Sequence, residues 1–231
     1  SYSIKSALES AYKPDVYVTT DDAEIEQIAL KCGAQVVRRE SALAADNVTL
    51  DPVIFHAYEK ICAMNGCRYK IIVTLQPTSP LLTTSSIDAA ISSVLECSEP
   101  ITIISAKKEA HLYWRESGGD YLPNFVKRVN RQQLPPVYRE TGGFLITTAD
   151  NISQHNRIGD RVDLHILADD EAIDIDDFVD WAACEYYLRR KNIVFVVSGN
   201  QTIGLGHVYN TLALANDIID HEIKFLVDRS S

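Results

Sequence analysis

Apolar positions along the chain alternate between two spacings. In "IKSALESAY", Ile4, Ala7, Leu8 and Ala11 recur at three- and four-residue steps, the period of one helix face. "DVYVTT" is a short β-branched run. "DDAEIEQIALKCG" predicts a helix with an Asp cap, an apolar face of Ile25, Ile28, Ala29 and Cys32, and a stop at Gly33. "AQVVRR" reads as a strand, and Pro52 suits the first turn of a helix running to about Met64. "YKIIVTL" is almost continuously apolar, as a strand covered on both faces should be. "QPTSP" interrupts it. A helix follows from about Ser85, with Ile87, Ile91, Val94 and Leu95 on one side, and "PITIISA" is the next strand. The alternation predicts an α/β fold with a doubly wound, mostly parallel sheet.

Residues 107 to 140 break the rhythm with a stretch rich in aromatic, basic and proline residues. They predict an excursion from the sheet, either a small inserted β-subdomain or a dimerisation arm. "GGFLITT" and "RVDLHIL" return to strands, and "DDFVDWAACEYYLRRK" predicts a helix ending near residue 191. The pattern then restarts: "NIVFVVSGNQTIGLGHVYNTLALANDIIDHEIKFLVD" reads as strand, Gly-rich loop, helix, strand. We therefore expect residues 1–190 to form one domain and 191–231 the start of a second, truncated one.

Charge narrows the function. Of 231 residues, 22 are Lys or Arg and 32 are Asp or Glu, so the formal charge is 22 − 32 = −10. That argues against a general binder of nucleic acid or of anionic membranes. The five cysteines form no CxxC pair and sit among apolar residues, which fits reduced cysteines in a cytoplasmic protein. No stretch approaches the roughly 18 to 20 apolar residues of a membrane span, and the first residues lack the apolar core of a signal peptide.

Four segments carry candidate chemistry. "LQPTSPLL" follows the most apolar strand, where ligands of open α/β sheets bind. Its prolines forbid a helix and leave Gln76, Thr78 and Ser79 to hydrogen-bond a ligand, or simply to make a rigid turn. In "RESALAADNVTLD", Arg39, Asp46 and Thr49 flank a helix start and form either a base- or ribose-recognising loop or a capped surface loop. Lys127, Arg128, Arg131 and Arg139 cluster cations in an acidic chain, suited to a carboxylate or phosphate or else a solvated basic face. In "AIDIDD", extended alternation would place Asp174 and Asp176 on one face, about 6 to 7 Å apart. Such a pair suits Mg²⁺ shared with substrate phosphates, while a neighbouring aspartate caps the next helix. In the tail, Gly204 and Gly206 would let a backbone approach a phosphate ahead of His207, or make a tight turn.

Taken in order, "YVTTDDAEI", "RRESALAAD", "LQPTSPLL", "RQQLPPVYRETGG" and "AIDIDD" resemble the CMP-sialic acid synthetase (acylneuraminate cytidylyltransferase) family over about residues 5 to 190. The resemblance implies a nucleotide-diphospho-sugar transferase-like fold. It also implies a homodimer that joins CTP to sialic, legionaminic or pseudaminic acid with Mg²⁺. By position it implies metal-binding and catalytic roles for Asp174 and Asp176. Gln76, Thr78, Ser79, Arg131 and Arg139 would contact the sugar, and Arg39, Asp46 and Thr49 the nucleotide. Kdo-type cytidylyltransferases and a non-catalytic module of the same fold are the alternatives. The family's opening strand and Gly-rich triphosphate loop precede the segment where this chain starts, so we expect residues 1–231 alone to have little activity. Leu82 stands where an arginine often follows QPTSPL, and Leu145 where an aromatic is frequent near the sugar. The tail resembles the start of the UDP-sugar hydrolase of pseudaminic acid synthesis, a glycosyltransferase-B-like fold, with His207 at the catalytic histidine and Asn210 at a usual arginine.

Overall fold

The computed structural model describes residues 1–199 and 204–227. Residues 200–203, part of the expected Gly-rich loop, lie outside the described residues, as do 228–231. In chain order the elements are α1 (Tyr2–Leu8), β1 (Tyr17–Thr20), α2 (Ala23–Lys31), β2 (Gln35–Arg38), α3 (Leu50–Asn65), β3 (Ile71–Leu75) and α4 (Thr84–Glu96). There follow β4 (Thr102–Glu109), β5 (Trp114–Ser117), β6 (Asp120–Pro123), β7 (Val137–Thr148), β8 (Val162–Ile166), α5 (Phe178–Arg189), β9 (Asn192–Val197), α6 (Gly206–Asp217) and β10 (Glu222–Val227). The chain divides into two compact units, Ser1–Asp176 and Asp177–Ser231, so α5 groups with the C-terminal unit.

Local chemistry explains the helix ends. The Asp22 carboxylate accepts from the backbone N–H groups of Glu24 and Ile25 at 2.8 and 2.9 Å, satisfying donors that the first turn of α2 leaves open. Just past the end of α2, Gly33 adopts φ +90°, a conformation that side chains disfavour. The Asp177 side chain accepts from Val179 and Asp180 N–H at the start of α5, and the Asp180 carboxylate accepts from Asp177 N–H, completing a capping box.

The first unit is built on a four-stranded sheet in the order β3-β7-β4-β8. β7 runs antiparallel to both β3 and β4, and β4 pairs parallel with β8. Three strands therefore point one way and β7 points back between two of them. Thr141–Thr147 of β7 are buried without alternation, as in a central strand covered on both faces. One cover is α4, whose Ile87, Ile91 and Val94 pack with Ile101, Ile103, Phe144, Ile146 and Leu167. Leu82 belongs to this core at 3% exposure, and Leu145 is buried at 5%. β1 and β2 form a separate parallel pair.

The expected excursion of residues 107–140 is shorter than that, since Lys107–Glu109 continue β4 paired with Val137–Arg139 of β7. Between them lies a hairpin of β5 and β6 turned by Gly118 and Gly119, both at positive φ as a type I′ turn requires. It exposes Trp114, Tyr121 and Leu122. In the second unit β9 and β10 pair in parallel, joined through α6. Among the described residues, no helix is long and apolar enough to cross a membrane.

Candidate functional site

Because β3, β4 and β8 point the same way, the segments leaving their carboxyl ends share one edge of the sheet. That edge is where open α/β sheets bind ligands. The loop after β3 carries Gln76, Thr78 and Ser79. The segment after β4 carries Ala110–Leu112, and the one after β8 leads to Asp174.

Helix α1 braces the first of these loops. The Ser3 hydroxyl donates to the Gln76 carbonyl at 3.1 Å, and the Ser6 hydroxyl donates to the Leu82 carbonyl at 2.9 Å. Buried Ser10 donates to the Asp88 carboxylate on α4, which also accepts from Ala11 N–H at 3.1 Å. On the other flank, Glu171 accepts from Thr83 N–H at 2.9 Å and from the Ser86 hydroxyl at 3.0 Å, holding the start of α4. The loop is thereby held from two sides.

The acidic segment docks onto this loop. Ile175 N–H donates to the Thr78 carbonyl at 2.9 Å, and the Ser79 hydroxyl, 1% exposed, lies 3.4 Å from Asp174 Oδ1. The two aspartates are not equivalent as alternation would have them. Asp174 is half-buried and Asp176 exposed, because Ile173–Asp176 lie outside any strand ladder. The Asp174 carboxylate sits against Gly142, where an added Cβ would lie 2.5 Å from Oδ2. The Thr78 hydroxyl is buried and lacks a hydrogen-bond partner among the described residues.

The basic residues separate. Arg131 is exposed on a short 3-10 turn and lines a surface cavity of about 190 Å³ with Ala110, His111, Leu112, Val129 and Leu134. Arg139, on β7, donates through Nε to Glu109 at 3.0 Å. The Tyr113 hydroxyl also donates to Glu109, and these two contacts, Tyr113 foremost, hold the Glu109 carboxyl below its ordinary range. The same hydrogen bond pushes the Tyr113 phenol up. Lys107, which the motif reading passed over, pairs with Asp169 at 3.2 Å at the same edge.

The nucleotide candidates lie by β1, β2 and α3. Arg39 donates from Nη2 to the Thr19 carbonyl at 2.7 Å, while its Nε is buried without a partner among the described residues. Asp46 is exposed, and Thr49 is the N-cap of α3 but makes no side-chain cap bond. In the second unit His207 is exposed in the first turn of α6. Sequence reasoning missed Gly142, Glu109, Tyr113 and Glu171. The Gly-Gly pair inside a strand was the available signal, since glycine there marks a bulge or a close approach.

A model of the cytidylyltransferase family matches residues 1–195. Post-translational flagellin modification protein B of Campylobacter coli is 26% identical over 199 residues, covering 84% of this chain and 85% of that protein. CMP-N,N'-diacetyllegionaminic acid synthase of Legionella pneumophila is 26% identical over 194 residues, covering 80% of this chain and 82% of that protein. Among solved structures, 4-diphosphocytidyl-2C-methyl-D-erythritol synthase shares the fold with a TM-score of 0.54 at 13% identity, covering 80% of this chain and 88% of that one.

Proposed function

The chain belongs to the cytidylyltransferase family, and from that premise we propose that it joins CTP to an acidic nine-carbon sugar of the sialic, legionaminic or pseudaminic type, releasing pyrophosphate. The observation that carries this reading is the docking of the Asp174 segment onto the loop after β3, through Ile175 and Thr78. The legionaminic acid relative supports the sugar class.

In this reading the anomeric hydroxyl of the sugar attacks the α-phosphorus of CTP and pyrophosphate leaves. Asp174 and Asp176 would hold Mg²⁺. What supports a metal role for Asp174 is its half-buried carboxylate seated against Gly142 beside the loop after β3, and one or two carboxylates are the usual protein share of a Mg²⁺ that also takes substrate phosphates and water. A Mg²⁺ held by Asp174 and Asp176 would offset phosphate charge and align the leaving group. Arg131, exposed at its cavity, pairs with the sugar carboxylate, and an arginine fork suits that partner. Gln76, Thr78 and Ser79 orient the sugar, with Arg139 as a second cation. Arg39, Asp46 and Thr49 take the nucleotide.

Free cysteines throughout support a reducing, cytoplasmic setting, and the exposed aromatics of the β5–β6 hairpin support a homodimer arm. The test is a panel of sialic, legionaminic, pseudaminic and Kdo acids with CTP on the full-length gene product, read as pyrophosphate release. Turnover with a nine-carbon acid is expected. Turnover with Kdo alone, or with none, would overturn the reading.

A further inference from the structure

The pairing of β7 with β4 breaks at one place. Ile104 faces Leu145 and Ala106 faces Glu140, so Ser105 alone stands opposite Thr141–Phe144. The Ser105 side chain fills the irregularity, accepting from Phe144 N–H at 2.9 Å and from the Thr141 hydroxyl at 2.8 Å. β3 ends beside this bulge, with Leu75 opposite Phe144. Gly142 and Gly143 therefore emerge where the loop after β3 begins, a common position for bulges beside functional sites.

The two glycines do different things. At Gly143 a Cβ would approach Ser105 Oγ at 3.1 Å and Leu167 Cδ1 at 3.2 Å, which are core contacts. At Gly142 it would lie 2.5 and 2.7 Å from the Asp174 oxygens and 2.8 Å from its Cγ, closer than real Cβ atoms come. Gly142 is not among the glycines at positive φ, so its backbone does not demand glycine. The atoms it would strike are the far end of one side chain. An alanine there is accommodated by moving that carboxylate rather than by disturbing the strand.

We propose that Gly142 is a positioning residue whose missing side chain is the seat of the Asp174 carboxylate. The inference rests on the reading of Asp174 as a metal-holding carboxylate. Calorimetric titration of the full-length protein with CTP, with and without Mg²⁺, reads the metal-dependent gain in affinity without turnover. Gly142→Ala should lose about tenfold or more of that gain, as loss of a ligand-orienting contact does, and Asp174→Asn should lose it as well. Gly143→Ala should keep it while unfolding at a lower temperature. Retention of the gain in Gly142→Ala but not in Asp174→Asn would overturn the inference and leave the metal reading standing. Retention in Asp174→Asn would overturn both. Should Gly142→Ala destabilise the fold, a double-mutant cycle with Asp174→Ala decides the matter. Destabilisation that vanishes in the Asp174→Ala background supports the seat, and equal destabilisation in both backgrounds overturns it.

Discussion

Ile175 N–H donates to the Thr78 carbonyl at 2.9 Å, so two motifs far apart in the chain share a backbone hydrogen bond. The contact holds the acidic segment against the loop after β3, although neither stretch belongs to a strand or helix at that point. The hydroxyl of the same Thr78 is buried without a partner among the described residues.

A buried hydroxyl without a partner typically costs about 1–3 kcal/mol. Thr78→Val keeps the shape and removes the orphan. The free protein should therefore unfold in urea at an equal or higher midpoint, gaining up to about 1–2 kcal/mol. If the hydroxyl serves the sugar, the same variant should raise KM for sugar with KM for CTP little changed. A destabilised variant with unchanged kinetics would place the hydroxyl in a purely structural role.

Asp174, Asp176 and Asp177 are near neighbours with different work. Asp177→Ala removes the cap of α5 and should lower stability by about 1 kcal/mol. Asp176→Asn leaves that cap intact and should abolish Mg²⁺-dependent product formation while the thermal midpoint stays within a few degrees. Measuring midpoint and turnover on both variants separates the roles. Full activity in Asp176→Asn would refute its assignment to the metal.

The Glu109 cluster makes a pH prediction. Hydrogen bonds from Tyr113 and then Arg139 lower its folded-state pKa from the ordinary 4.5. A carboxylate depressed in the folded state stabilises above its unfolded pKa, and that contribution is lost as pH falls from about 4.5 through the lower folded value. Urea titrations at stepped pH should therefore show wild type more stable than Glu109→Gln near neutrality, with the gap narrowing below about pH 4.5. A gap that is constant across that range would exclude the ionised contact as its source.

What the sequence could reveal was whatever short-range chemistry decides. The caps at Asp22 and Asp177, the stop at Gly33 and the burial of Ile87, Ile91 and Val94 need only neighbouring residues and stand as the pattern predicts, whereas Leu95, expected on the same face, and Ile25 and Ile28 on the expected face of α2 are exposed. The reversed direction of β7 was not legible. "GGFLITT" signals burial on both faces but says nothing about which way a strand runs between β3 and β4. The inequality of Asp174 and Asp176 was hidden for the same reason. Alternation assumes a ladder, whereas this segment is shaped by Thr78 and Gly142, which only the fold brings close.

Arg131 and Arg139 offer the sharpest test of the sugar site, because their surroundings differ. Arg139 Nε is engaged with Glu109, a carboxylate only 16% exposed, so part of its hydrogen-bonding capacity is already committed. Arg131 is exposed at a surface cavity that it lines with Ala110, His111, Leu112, Val129 and Leu134. A substrate carboxylate is better matched to the second setting, where an uncommitted arginine fork can pair bidentately. Arg131→Ala should raise KM for sugar by about tenfold or more, equivalent to roughly 1.4 kcal/mol or more of lost binding, with KM for CTP little changed. Arg131→Lys should recover only part of the loss, since an ammonium cannot reproduce the fork. Arg139→Ala, at the second cation, should raise KM for sugar less than Arg131→Ala does and should also lower stability, because it leaves Glu109 with one hydrogen bond fewer. Equal increases in KM for sugar and CTP in Arg131→Ala would remove this residue from the sugar site.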